Sequence, residues 1–204
     1  MPATVGPRRR ADAERNIARV VSAARESLSS DPNASIDDIA KAAGVGRMTL
    51  YGHFRTRAEL VEAALADALR AGEEALSAVD LSGDAQDALT RLLDSSWSLV
   101  AESTALLTAA QGTLPAGRIR KLHAAPARRV EELIRRGQDE GVFRTDMPIA
   151  WLVSVVHYVL QGAAEENRTK RLKTAEAARV VTATVRSILA TPHRALEDRG
   201  STIL

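Results

Sequence analysis

The sequence predicts an all-α protein in two parts, a small front module of short helices and a larger rear bundle of longer ones. Three observations carry this. Alanine is abundant, and no stretch alternates β-branched and polar residues as a half-buried strand would. Apolar residues recur at three- and four-residue spacing through most of the chain. Proline and most glycines fall between those periodic segments instead of inside them. With 204 residues, 45% apolar and 26% charged, the chain can bury a core, and wholesale disorder is excluded.

Each element follows from local signals. A first helix spans 11–29, with Ile17, Val20, Val21, Ala24 and Leu28 on one face and arginines on the other. Asp31, Pro32 and Asn33 end it. Ser35 stands where an N-cap belongs and Asp38 where its acidic capping-box partner belongs, so a second helix covers 35–43 and buries Ile36, Ile39 and Ala40. Gly44-Val45-Gly46 interrupts the pattern. A short helix over 47–54 puts Leu50 and Phe54 one turn apart on the same side. Thr56 caps a fourth helix, 57–77, with Leu60, Val61, Ala64, Leu65 and Leu69 inward.

After Ser82 and Gly83, helical patterning runs over 84–101, then over a short piece at 104–111 closed by Gly112 and Pro115. A solvated basic loop with Arg118, Arg120, Lys121 and His123 leads to a helix from near residue 126 to 141. Two long helices, 148–167 and 174–190, complete the pattern, and Pro192 stops the last. Their apolar residues spread over more than one face, wider than a single seam within one chain requires.

Composition removes several classes of function. There is no cysteine, hence no disulfide scaffold, thiolate zinc site or cysteine nucleophile. The histidines, at 53, 123, 157 and 193, fit no metal-ligand spacing. No HExxH, GxSxG, P-loop or GxGxxG string occurs, so neither an enzyme nor a cofactor is expected. The longest apolar run, 149–160, is broken by Ser154 and His157 and is too short for a bilayer. The basic N-terminal run lacks a following apolar segment, so no signal peptide is expected and the protein is expected in the cytoplasm.

The net charge of +2 leaves a nucleic-acid partner open. Residues 1–60 hold ten basic and seven acidic side chains, a mildly basic front end. The two short helices joined by a glycine turn have the spacing of a helix-turn-helix. If Ile36, Ile39, Ala40, Val45, Leu50 and Phe54 pack on the first helix, the opposite side of 47–54 faces out. Arg47, Met48 and Thr49 then stand at the N-terminal end that enters a major groove, offering a guanidinium for guanine, a flexible apolar contact and a hydroxyl. Small Gly52 permits close approach.

The string Val45-Gly46-Arg47-Met48-Thr49-Leu50-Tyr51-Gly52-His53-Phe54-Arg55-Thr56-Arg57-Ala58-Glu59-Leu60 goes further than spacing. It resembles, without a gap, the helix-turn-helix signature of TetR-family transcriptional regulators. The resemblance implies a helix-turn-helix DNA-binding domain at 1–57, with 1–10 as a flexible basic arm, and an effector-binding and dimerisation domain at 58–204. It implies phosphate contacts at Ser35, Thr49, Tyr51 and His53. Arg57, standing for the family's usual lysine, is implied as a phosphate anchor, and Arg47 and Met48 as readers of bases. Two positions depart from the family pattern: Leu28 where an aromatic often closes the first helix, and Gly52 where a larger residue is common.

For the rear part the resemblance implies a ligand-binding bundle and a homodimer through the helices at 148–167 and 174–190. Trp97, Leu107, Trp151, His157 and Tyr158 are the candidate ligand contacts. The expected function is a sequence-specific regulator, a repressor released from a palindromic DNA operator by a small-molecule effector. The alternative is a helical ligand-binding or scaffold protein that no longer binds DNA.

Overall fold

The computed structural model describes residues 7–192, the first six of these by their backbone alone. The described residues form nine α-helices: α1 (Pro7–Ser30), α2 (Ile36–Ala42), α3 (Arg47–His53), α4 (Arg57–Ser77), α5 (Ala85–Gln111), α6 (Ala116–Leu122), α7 (Ala124–Asp139), α8 (Ile149–Arg168) and α9 (Thr174–Leu189). The one β-type pairing among them is an isolated antiparallel bridge between Phe143 and Ala190. The all-α expectation holds.

Three local expectations are corrected. α1 starts at Pro7, so the backbone of Arg8–Arg10 is helical where a flexible arm is predicted; the rest of that arm lies outside the described residues. Proline suits a first helical turn, and arginine and alanine propagate it. α5 runs unbroken through the gap expected at 102–103. Glu102, Ser103 and Thr104 are not breakers, and the Thr104 hydroxyl turns back to donate to the Val100 carbonyl at 2.8 Å. The basic loop after Pro115 is a short helix, α6, opened by that proline at its N-cap.

The described residues fall into two compact units. The first comprises residues up to Ala78 together with Ser98–Pro126, and the second comprises Val79–Trp97 and residues from Ala127 on. A boundary at residue 57 therefore divides packed surface, because α4 lies along α1. In the first unit Val20, Ala24 and Leu28 of α1 are buried with Ile39 of α2, Leu50 of α3, and Leu60, Val61, Ala64 and Leu65 of α4. Ile36, Val45 and Phe54 pack against this cluster as expected. Arg25 of α1 pairs with Asp67 of α4 at 3.0 Å along its margin.

In the second unit α8 packs on α9. Leu152, Val156 and Leu160 of α8 are buried, as are Ala177, Val181, Val185 and Leu189 of α9 and Val130, Leu133 and Ile134 of α7. The Glu140 carboxylate accepts from the Ala85 amide at 2.9 Å, satisfying one of the free N–H groups that open α5. Gly137 lies flat against Phe143: a Cβ there would come within 2.0 Å of the Phe143 ring. The Phe143 ring is itself buried.

Candidate nucleic-acid interface

The front of the first unit is assembled by caps and one arginine. Ser35 caps α2 by accepting from the Asp38 amide at 3.1 Å, and Asp38 accepts from the Ser35 amide at 3.2 Å and from its hydroxyl at 2.5 Å. These two bonds hold the Asp38 carboxyl below the usual carboxylate range, the hydroxyl contributing most. The turn from α2 to α3 needs a left-handed residue and has Gly44 there, at φ 64°. Arg19 of α1 clamps that turn, donating to the Ala43 carbonyl at 2.8 Å and to the Gly44 carbonyl at 3.4 Å. Sequence reasoning missed Arg19; its partners lie more than twenty residues away and leave no local signal.

α3 is fixed from below by Leu50, which is fully buried. Its other side is open: Arg47, Met48, Thr49, Gly52 and His53 are exposed, with Met48 at 83%. That exposure leaves the flexible Met48 side chain free for an apolar contact. Nothing lies within 4 Å of a Cβ built on Gly52. Tyr51 is half-buried, and its ring carries the Arg47 guanidinium 5.4 Å from its centroid.

The charge on this face is arranged. α2 brings two carboxylates into its first turn, Asp37 and Asp38, which alone would repel a phosphate backbone. Asp38 is engaged in the capping box. Asp37 is paired with Arg47 Nη1 at 2.7 Å. The exposed face of α3 thus displays the donors of Arg47, Thr49 and His53 beside an ion-paired Asp37 and an Asp38 that stays ionised within the cap.

The site residues do not all stand alike. Ser35 is exposed, but its hydroxyl is used within the capping box. Arg57 points its guanidinium back into the protein: Nη1 donates to the Ala34 carbonyl and Nη2 to the Pro32 carbonyl at 2.8 Å. It ties the α1–α2 loop to the start of α4. Thr56 caps that helix by accepting from the Glu59 amide at 3.1 Å, and Glu59 reaches back to the Arg55 amide at 2.8 Å.

The candidate ligand contacts separate by unit and by exposure. Leu107 belongs to the first unit and is half-buried. The others belong to the second unit, where Trp97 is 5% exposed, while Trp151 and Tyr158 stand out at 54% and 65%. His157 is half-buried, and its Nδ1 is satisfied by the Val153 carbonyl at 2.8 Å. Among the described residues no grouping of acidic and histidine side chains forms a candidate metal site. No helix among them is long and apolar enough to cross a membrane.

Comparison with known proteins matches this geometry. The family model of bacterial regulatory proteins, tetR family, matches residues 20–64. No curated protein matches the chain significantly. Among solved structures, the TetR-like regulator LfrR of Mycobacterium smegmatis, in complex with proflavine, is 22% identical, with 88% of this chain and 98% of that chain covered and a TM-score of 0.69. A TetR-family regulator from Agrobacterium tumefaciens is 15% identical, with 87% and 99% covered and a TM-score of 0.70. A TetR transcription regulator from Haloarcula marismortui is 18% identical, with 86% and 97% covered and a TM-score of 0.69. At these identities what is shared is the fold. Residues 20–64 thus match the model of bacterial regulatory proteins of the tetR family, and the helical fold over most of the chain is the one these solved TetR-family regulators have.

Proposed function

We propose that the protein is a homodimeric repressor that holds a palindromic operator through α3 and leaves it when a small-molecule effector binds. The observation that carries the DNA reading is the outward face of α3. A helix anchored by buried Leu50 displays Arg47, Met48 and Thr49 at its N-terminal end, with the space above Gly52 open. That is the end of a recognition helix that meets base edges. Arg47 offers a guanidinium to guanine and Met48 an apolar surface to a thymine methyl. Thr49, Tyr51, His53 and Ser35 face the phosphates. Arg57 supports the interface through the loop whose carbonyls it holds.

On this reading residues 1–57 serve DNA and 58–204 serve effector and partner. The outward Trp151 and Tyr158 of α8 favour a place at the subunit interface over a ligand contact, and α9 joins that interface. Two-fold pairing would set two recognition helices on half-sites about 34–36 Å apart or multiples of that. Trp97 and His157 are the effector-facing candidates of the second unit. LfrR shares the fold and is described with proflavine bound, which supports an organic effector here. Release requires that effector to bind better to the state with the wrong helix separation, since a ligand shifts an equilibrium only by its differential affinity.

The test is selection of genomic fragments by the purified protein, followed by gel-shift on the selected duplex at several salt concentrations. A retarded band that weakens steeply with salt supports the reading. No band at any salt favours the scaffold alternative.

A further inference from the structure

Asp37 has no place in the helix-turn-helix signature, yet its carboxylate reaches the residue best placed to read a base. Asp37 Oδ2 accepts from Arg47 Nη1 at 2.7 Å, while the Tyr51 ring lies 5.4 Å from the guanidinium carbon. Both acid and arginine are more than half exposed, at 57% and 61%, so burial does not force the pairing. An exposed arginine free of partners samples many rotamers and loses that freedom when it binds. Here one nitrogen is held by a carboxylate and the plane is supported by a ring. The opposite edge of the fork, Nε and Nη2, is the edge that can meet guanine O6 and N7 together.

We propose that Asp37 is a specificity-determining positioning residue: it pre-orients Arg47 so that its Nε–Nη2 edge reads guanine in the major groove. The inference rests on the DNA-binding reading above. It makes an unusual pair of demands on one carboxylate. As a negative charge beside a phosphate backbone, Asp37 lowers affinity for every sequence. As a buttress, it raises discrimination at the base that Arg47 contacts. Its removal should therefore move the two quantities in opposite directions, which a merely structural residue does not do.

The experiment uses the full-length protein and the duplex it selects, with single-base-pair variants at each operator position, titrated by fluorescence anisotropy. Arg47→Ala first identifies the position where discrimination collapses. Asp37→Asn, which preserves the shape and removes the charge, is expected to flatten discrimination at that same position by about three- to fivefold. Affinity for unrelated DNA should rise. In the Arg47→Ala background, Asp37→Asn should change discrimination at no position, since the group it orients is gone. Thermal melting of each variant checks that the fold is kept, and Asp37→Glu, which restores the carboxylate, should recover part of the discrimination. The inference is overturned if Asp37→Asn leaves the ranking of operator variants intact, weakens all sequences alike, or acts equally with and without Arg47. A wild-type protein that selects no DNA would overturn the underlying DNA reading as well, and that outcome is separate from an unchanged ranking.

Discussion

Replacing Gly52 by alanine separates the stability of the recognition helix from its fit to DNA. Gly52 lies inside α3, a helix of seven residues whose N-cap, Gly46, supplies no side-chain bond. A glycine in a helix interior costs about 0.5–1 kcal/mol relative to alanine. The new methyl meets nothing within 4 Å, so no steric term opposes the gain. The first unit should be stabilised by nearly the full amount. For a chain of this size that is a rise of about 1–4 °C in Tm, read by circular dichroism or calorimetry. The same methyl stands on the face proposed to enter the groove, where the helix would be held off the bases. Affinity for the selected operator should fall roughly fivefold, a loss of about 1 kcal/mol. The two readouts move oppositely. A fall in Tm would refute the open geometry around Gly52, and unchanged operator affinity would refute close approach along this face.

Other substitutions probe the frame behind that helix. Gly137→Ala should destabilise the second unit by about 1–3 kcal/mol by chemical denaturation, because the displaced Phe143 ring outweighs the helix-propensity gain that governs Gly52; equal or greater stability would contradict the packing. Arg57→Ala should lower stability by about 1–3 kcal/mol in the absence of DNA, since it strands the Ala34 and Pro32 carbonyls; a variant of native stability that merely lost DNA affinity would return Arg57 to a phosphate contact. Trp151→Ala with Tyr158→Ala should shift the protein toward monomer in sedimentation at micromolar concentration, and weaken operator binding with it. On acidification, Asp38, whose carboxyl lies below its unfolded value, contributes stability above the ordinary carboxylate range that is lost as pH falls through its lowered value. Ser35→Ala should reduce that pH dependence, the backbone amide at 35 still donating to Asp38, measured as amide exchange protection in α2.

How far the structure was legible depended on the distance over which its signals act. The caps of α2 and α4 were readable because Ser35 with Asp38, and Thr56 with Glu59, lie within one turn of each other. The faces of α1, α3 and α4 followed from apolar period, except that Ile17 of α1 is exposed, and Leu50 is buried where the spacing put it. α5 was divided too early because serine and threonine resemble punctuation, while their hydroxyls return to carbonyls of the preceding turn and let the helix continue. α6 was hidden by Gly112 and Pro115, which announce a loop, yet a proline at the cap position is compatible with a helix that follows.

The site divides in the same way. The outward row of Arg47, Met48, Thr49, Gly52 and His53 follows from helical period and a known motif. What each polar group does within the fold does not. Arg57 finds carbonyls 23 and 25 residues back along the chain. Arg47 finds a carboxylate across the α2–α3 turn. Arg19 bonds the turn itself from another helix. Such pairings depend on how the helices are set against one another, and no local pattern records that. Trp151 and Tyr158 illustrate the same gap, since an apolar helix in sequence does not say which aromatic residues remain outside.

The most direct measurement is equilibrium binding of the purified protein to its selected duplex across a salt series, with Arg47→Ala beside the wild type. For a recognition helix set in the major groove, the logarithm of affinity should fall linearly with the logarithm of salt. Arg47→Ala should compress the difference between operator and single-base variants by about 1–3 kcal/mol at one position of each half-site. Absence of a complex at every salt concentration, or an unchanged order of operator variants in Arg47→Ala, would contradict the placing of base recognition on the exposed face of α3.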